Sequence, residues 1–136
     1  KYTIAYPWHG AAVDATIALL GSDIKKIGYN LKFEDRWTRD KLGTQIKNWI
    51  HCGMQTAHVL DNRHQITSLK FQSFVRFGMR DYDSHIKPYL QSDDGGGYGF
   101  NRIKELPLVQ VLEYCGMDSL LEFKIWQHQE REANGK

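Results

Sequence analysis

The stretch from 92 to 100, Ser-Asp-Asp-Gly-Gly-Gly-Tyr-Gly-Phe, has the residue types of an anion site. A glycine-rich turn feeding a helix aims several backbone N–H groups one way, at the positive end of the helix dipole, and phosphates are the usual occupant. Gly97 and Gly99 permit the close backbone approach that such a site needs. Asp93 and Asp94 stand at the entrance and oppose a pyrophosphate by a Coulomb energy of about 1 kcal/mol each when solvated. A plain surface loop is the alternative reading. His51, Cys52, His58 and His64 raise a metal, but their spacings match no structural zinc pattern, so helix and turn positions are expected for them. Cys52 beside His58, or Cys115, lacks an orienting partner that would mark a nucleophile.

Positioning that loop requires elements on both sides. Residues 2–6 read as a first strand closed by Pro7-Trp8-His9-Gly10, and residues 11–20 as a helix stopped by Gly21. Residues 22–35 suit either a helical turn or a strand. Thr38 is a candidate N-cap for a helix over 39–51, with Leu42, Ile46, Trp49 and Ile50 as its apolar stripe. Gly53 marks a boundary, after which 56–60 reads as a strand and 61–64 as a turn. The alternation of Leu69, Phe71, Val75, Phe77 and Met79 against Lys70, Gln72, Arg76 and Arg80 predicts a long strand over 66–79. Residues 85–91 read as short and extended, with Pro88 on an unladdered edge. A helix over 101–114, kinked or split by Pro107 and ended by Gly116, precedes a strand over 120–126. The polar tail 127–136 frays or begins a helix. This order predicts an α+β fold: a mixed, mainly antiparallel sheet flanked by helices, in one domain spanning 1–136.

Residues 86–131 carry a further signal: Tyr89-Leu90-Gln91-Ser92, then Gly95-Gly96-Gly97-Tyr98-Gly99, then Val111-Leu112-Glu113-Tyr114 and Leu121-Glu122-Phe123-Lys124-Ile125-Trp126. In this succession the chain resembles the GNAT family of N-acetyltransferases, which have the acyl-CoA N-acyltransferase fold. The resemblance implies acetyl-CoA as cosubstrate, with the backbone at Leu90 and Gln91 facing pantetheine. Gly95, Gly97, Tyr98 and Gly99 would form the pyrophosphate loop. It also implies direct acetyl transfer to a small-molecule or peptide amine. Such transfer needs a neutral amine beside the thioester, a base and a proton donor for the departing thiolate. His85 occupies the position matching the family's glutamate base, and Tyr114 is the candidate donor. Asp81 and Asp83 are secondary candidates, with turn roles as the alternative. The sequence departs from the pattern at Asp94 and Gly96, where the family carries Arg or Gln and a basic residue. Its closing helix and strands find no counterpart before Lys136. The alternative function is a GNAT-like chain that no longer catalyses, or a remodelled or designed one, serving as a binding or scaffold module.

Composition narrows the classes. The 136 residues suit one domain, and 41% hydrophobic with 25% charged residues is a globular balance. A formal charge of +2 argues against nucleic acid as partner. Tyr98-Gly99-Phe100 has the look of a base-stacking RNA segment, but lacks a companion strand and basic residues. No apolar run reaches the ~20 residues of a membrane span, and two cysteines without CxxC spacing make the cytoplasm the expected location. The aromatic residues Trp37, Trp49, Phe71, Phe74, Phe77 and Trp126 are expected in the core or at a homodimer contact.

Overall fold

In the computed structural model, which describes residues 2–91 and 100–135, helices dominate. Helix α1 (Ala11–Gly21) forms where its spacing predicts, and Ser22 closes it by donating its N–H to Leu19 O at 3.2 Å. Strand β1 (Lys26–Gly28), helix α2 (Leu31–Leu42) and strand β2 (Trp49–Cys52) make a β-α-β unit. The two strands pair in parallel, with Ile27 opposite His51 and Gly28 opposite Cys52. Helices α3 (Gly53–Leu60), α4 (Leu69–Phe77) and the short α5 (Lys87–Leu90) follow. A 3-10 turn (Ile103–Glu105) leads into α6 (Leu108–Ala133), a 26-residue helix about 39 Å long. Helices α3 and α4 and strand β1 all pack on α6.

The expected mainly antiparallel sheet is therefore corrected. Among the described residues the only sheet is the parallel pair β1–β2. The expected strand over 66–79 is helix α4. Its capping residues outweigh its apolar alternation: the Ser68 hydroxyl accepts from Phe71 N at 3.1 Å, and Gly78, at φ 68°, closes the other end. Its buried residues, Gln72 and Ser73, are polar, while Phe74 and Val75 are exposed. The strand expected over 120–126 lies inside α6, whose buried Leu121, Ile125 and Gln129 recur every four residues. The strand over 56–60 is α3, and that over 85–91 contains α5. Residues 2–6 form no strand. They cross α6 at Gly116, where a Cβ would stand 3.2 Å from Thr3 Cγ2. Gly116 is thus a crossing point and not a helix stop. Thr38 lies inside α2 and not at its cap, because Gly43, at φ 63°, ends that helix and β2 takes up Trp49 and Ile50.

The core sits where α6 meets β2, α3 and α4. Ile125 and Gln129 are both fully buried on α6. An amide in that position must find partners, and it finds two. Gln129 Oε1 lies 2.8 Å from His51 Nε2 on β2, and Gln129 Nε2 donates to Gly53 O at 3.0 Å where α3 begins. His51 Nδ1 in turn lies 3.6 Å from Glu130 Oε1. A second tie runs from α4 to α6: Arg76 donates to Gln72 Oε1 at 2.8 Å and pairs with Glu132 at 2.7 Å. The Tyr29 hydroxyl donates to Thr67 O at 2.7 Å, joining the end of β1 to the start of α4. Replacing Gln129 by Ala strands the Gly53 carbonyl and the His51 ring and opens a cavity. The expected cost is about 2–4 kcal/mol in urea unfolding. A loss below about 0.5 kcal/mol, typical of a surface substitution, contradicts this role for Gln129.

Candidate functional site

Helical spacing puts Glu34, Trp37 and Thr38 on one face of α2, since residues three and four apart are neighbours. That face looks across a cleft of about 570 Å³ toward α1, the β1–β2 pair and Glu122 of α6. Leu19, Leu20, Ile27 and Ile46 supply an apolar lining, and Phe33, Trp37 and Trp49 supply aromatic walls. Trp8 stacks edge-on against Trp37, with ring centroids 6.3 Å apart, and so braces one wall. Gly28 is required at the cleft's edge. A Cβ there would fall 2.7 Å from Glu34 Oε2 and 2.8 Å from Trp49 Cζ3.

The cleft carries two carboxyls and one ammonium. Lys26 does not neutralise the acids, because its Nζ donates to three backbone carbonyls: Ser22 O at 2.7 Å, Ile24 O at 2.8 Å and Lys47 O at 3.0 Å. An ammonium has three N–H donors, and all are used. Burial pushes the Glu34 carboxyl up to about 7, opposed in part by a hydrogen bond from the Tyr29 backbone. Burial likewise pushes Glu122 up to about 7, reinforced by Glu34 and then by Asp118. Thr38, only 4% exposed, lines the same space, and its hydroxyl makes no hydrogen bond among the described residues. An apolar, aromatic-walled recess with two uncompensated acids and a spare hydroxyl can bind a cation or exchange a proton near neutral pH.

The sequence-derived residues fall elsewhere. His85 and Tyr114 do come together: both line a second cavity of about 590 Å³, with Tyr82, Glu113 and Met117. Tyr82 donates to Asp118 Oδ1 at 2.6 Å, and the Tyr114 ring lies 5.4 Å from Lys70 Nζ. Burial and then Asp118 hold the Tyr114 phenol well above its ordinary range. Lys70 is paired with Asp83, which is buried; Asp81 is exposed at the start of the same turn. Leu90 ends α5 and Gln91 follows it, so neither belongs to a strand that could face pantetheine. Gly95, Gly97, Tyr98 and Gly99 lie outside the described residues. No group of three or more metal-ligating side chains occurs among the described residues; His51 is committed to Gln129 and Glu130. Burial raises the Cys115 thiol, which disfavours a thiolate nucleophile there. No described helix is long and apolar enough to cross a membrane.

Glu34, Thr38 and Glu122 escape a strand-based reading. Once 108–133 is taken as a helix, the three- and seven-residue spacing from Glu122 to the buried Ile125 and Gln129 marks it as an acid beside the buried stripe. Comparison with family models, curated proteins and solved structures yields no match, so no family assignment supports or opposes these sites.

The raised carboxyls make stability depend on pH in a fixed direction. Between the unfolded value near 4.5 and the folded value of about 7, the unfolded chain ionises while the folded one holds its protons. Stability is therefore fully present below about 4.5, falls as pH rises, and has lost this contribution above about 7. Glu122→Gln removes one such group, so it is expected to raise Tm at pH 8 while leaving Tm at pH 5 nearly unchanged. The gain at pH 8 is on the order of 1–3 kcal/mol. Equal Tm shifts at both pH values would show that Glu122 is solvated in the folded protein.

Proposed function

We propose that this protein is a binding module for an apolar or aromatic amine, held in the cleft between α1, α2, the strand pair and α6. One observation carries the reading: two carboxyls open into a recess walled by Trp37 and Trp49, and Lys26, the one lysine among the described lining residues, is turned onto backbone carbonyls. An ammonium group entering there replaces the missing counter-charge, and its attached carbons cover apolar wall. Indole faces add a cation–π attraction of about 0.5–2 kcal/mol. Thr38 offers a hydroxyl to a polar N–H or O–H of the ligand.

Of the two roles the sequence suggests, binding and acetyl transfer, the cleft supports binding. Acetyl transfer was expected on a splayed sheet that the described residues do not form. An amine remains the ligand class in both readings. Isothermal titration at pH 8 with phenethylamine and with its neutral isostere 2-phenylethanol tests the proposal. The amine is expected to bind with Kd on the order of 10⁻⁴ M, and Glu122→Gln to weaken it about tenfold or more. Equal affinity for the alcohol, or no saturable heat with the amine, overturns it.

A further inference from the structure

Resting on the amine-binding reading, we infer that Glu34 and Glu122 hold a proton in the unliganded protein and surrender it as the cation enters. Ligand capture is then coupled to proton release. The two acids come from different elements, α2 and α6, and open into one recess, so an ionised pair would place two like charges together against apolar walls. Few other groups act on them. From β1, Lys26 is bound to three carbonyls; after β1, Tyr29 gives its backbone N–H to Glu34 and its hydroxyl to Thr67. On α2, Asp35 is held by Arg39 at 2.7 Å and accepts from Ile46 N at 3.3 Å. From α6, Asp118 reaches Glu122 electrostatically but is bonded to Tyr82. Arg76 of α4, which faces Tyr29, is neutralised by Glu132. The walls from α1 (Leu19 and Leu20), residue 46 and β2 (Trp49) are uncharged.

Among the described residues, a proton is therefore the counter-charge left to these acids until a cation arrives. The step balances simply: a carboxylic O–H bond breaks, its electron pair stays on the carboxylate facing the incoming ammonium, and the proton passes to solvent buffer. With burial pushing both carboxyls up to about 7, they are largely protonated at pH 6 and largely ionised at pH 8.5, so the exchange is read by comparing those two conditions.

The test is titration of the intact chain with phenethylamine at pH 6 and at pH 8.5, each in two buffers of different ionisation enthalpy. The ligand's ammonium stays protonated over most of this range, so protons that appear come from the protein. About one proton per ligand is expected at pH 6 and almost none at pH 8.5, with affinity about tenfold weaker at pH 6. In Glu34→Gln/Glu122→Gln the buffer dependence of the binding heat is expected to vanish. The wild-type comparison stands by itself if that variant does not fold. Saturable binding with the same affinity and no buffer dependence at both pH values overturns proton coupling while leaving the cleft reading intact. Absence of saturable binding at pH 8.5 overturns the cleft reading and this inference with it.

Discussion

The buried amide of Gln129 sets the arrangement of everything around it. A primary amide with no solvent contact requires both ends bonded, and the available partners are the His51 ring on β2 and the Gly53 carbonyl at the start of α3. Satisfying both fixes the distance and rotation of α6 relative to the β2–α3 junction. Rotating α6 by one residue would turn Gln129 away by roughly 100° and leave a carbonyl and an imidazole without partners. The same rotation fixes Glu122, which lies seven residues earlier, two turns along the same helix. The acid in the cleft is thus placed by a polar contact near the far end of the helix.

That geometry explains why an unfavourable group is tolerated. Burying carboxyls near apolar walls costs stability, and burial accordingly pushes both up to about 7, so that below that pH the neutral form is favoured. Lys26 could have paired with them, but its three N–H groups serve carbonyls that flank β1. Those carbonyls belong to the loop leaving α1 and to the residue before Asn48, so Lys26 closes the chain around the strand pair. The lysine holds the chain around the strand pair and does not pair with the acids.

The sequence allowed some of this to be read. The helix at 11–20 and the break at Gly53 are local features, set by small residues and by spacing, and both occur in the structure. Pro107, expected to kink or split a helix over 101–114, does divide that stretch: it separates the 3-10 turn from α6, a position where its missing N–H costs nothing. At 66–79 the capping by Ser68 and Gly78 prevails over the apolar alternation. There the odd-numbered apolar residues alternate with polar ones, yet the buried residues of α4 are Gln72 and Ser73, and Phe74 and Val75 face solvent. Burial of polar residues within a hydrogen-bonded network leaves no hydrophobic pattern to find. Gly116 differs in kind: it serves the close crossing of Thr3 and does not end α6.

The site was legible only in part. His85 and Tyr114 do share a cavity, but the sheet that would have given them a common substrate is absent among the described residues. Glu34 and Glu122 are 88 residues apart in sequence and meet only through the register of α2 and α6, which the Gln129 contacts and Gly43 help determine. The most direct test of this arrangement is a carboxyl-carbon NMR titration of the protein with Glu34 and Glu122 assigned by their Gln variants. Midpoints of about 7 for both are expected from burial beside apolar walls, reinforced at Glu122 by Glu34 and then Asp118. Midpoints near 4.5, the ordinary glutamate value, would contradict it.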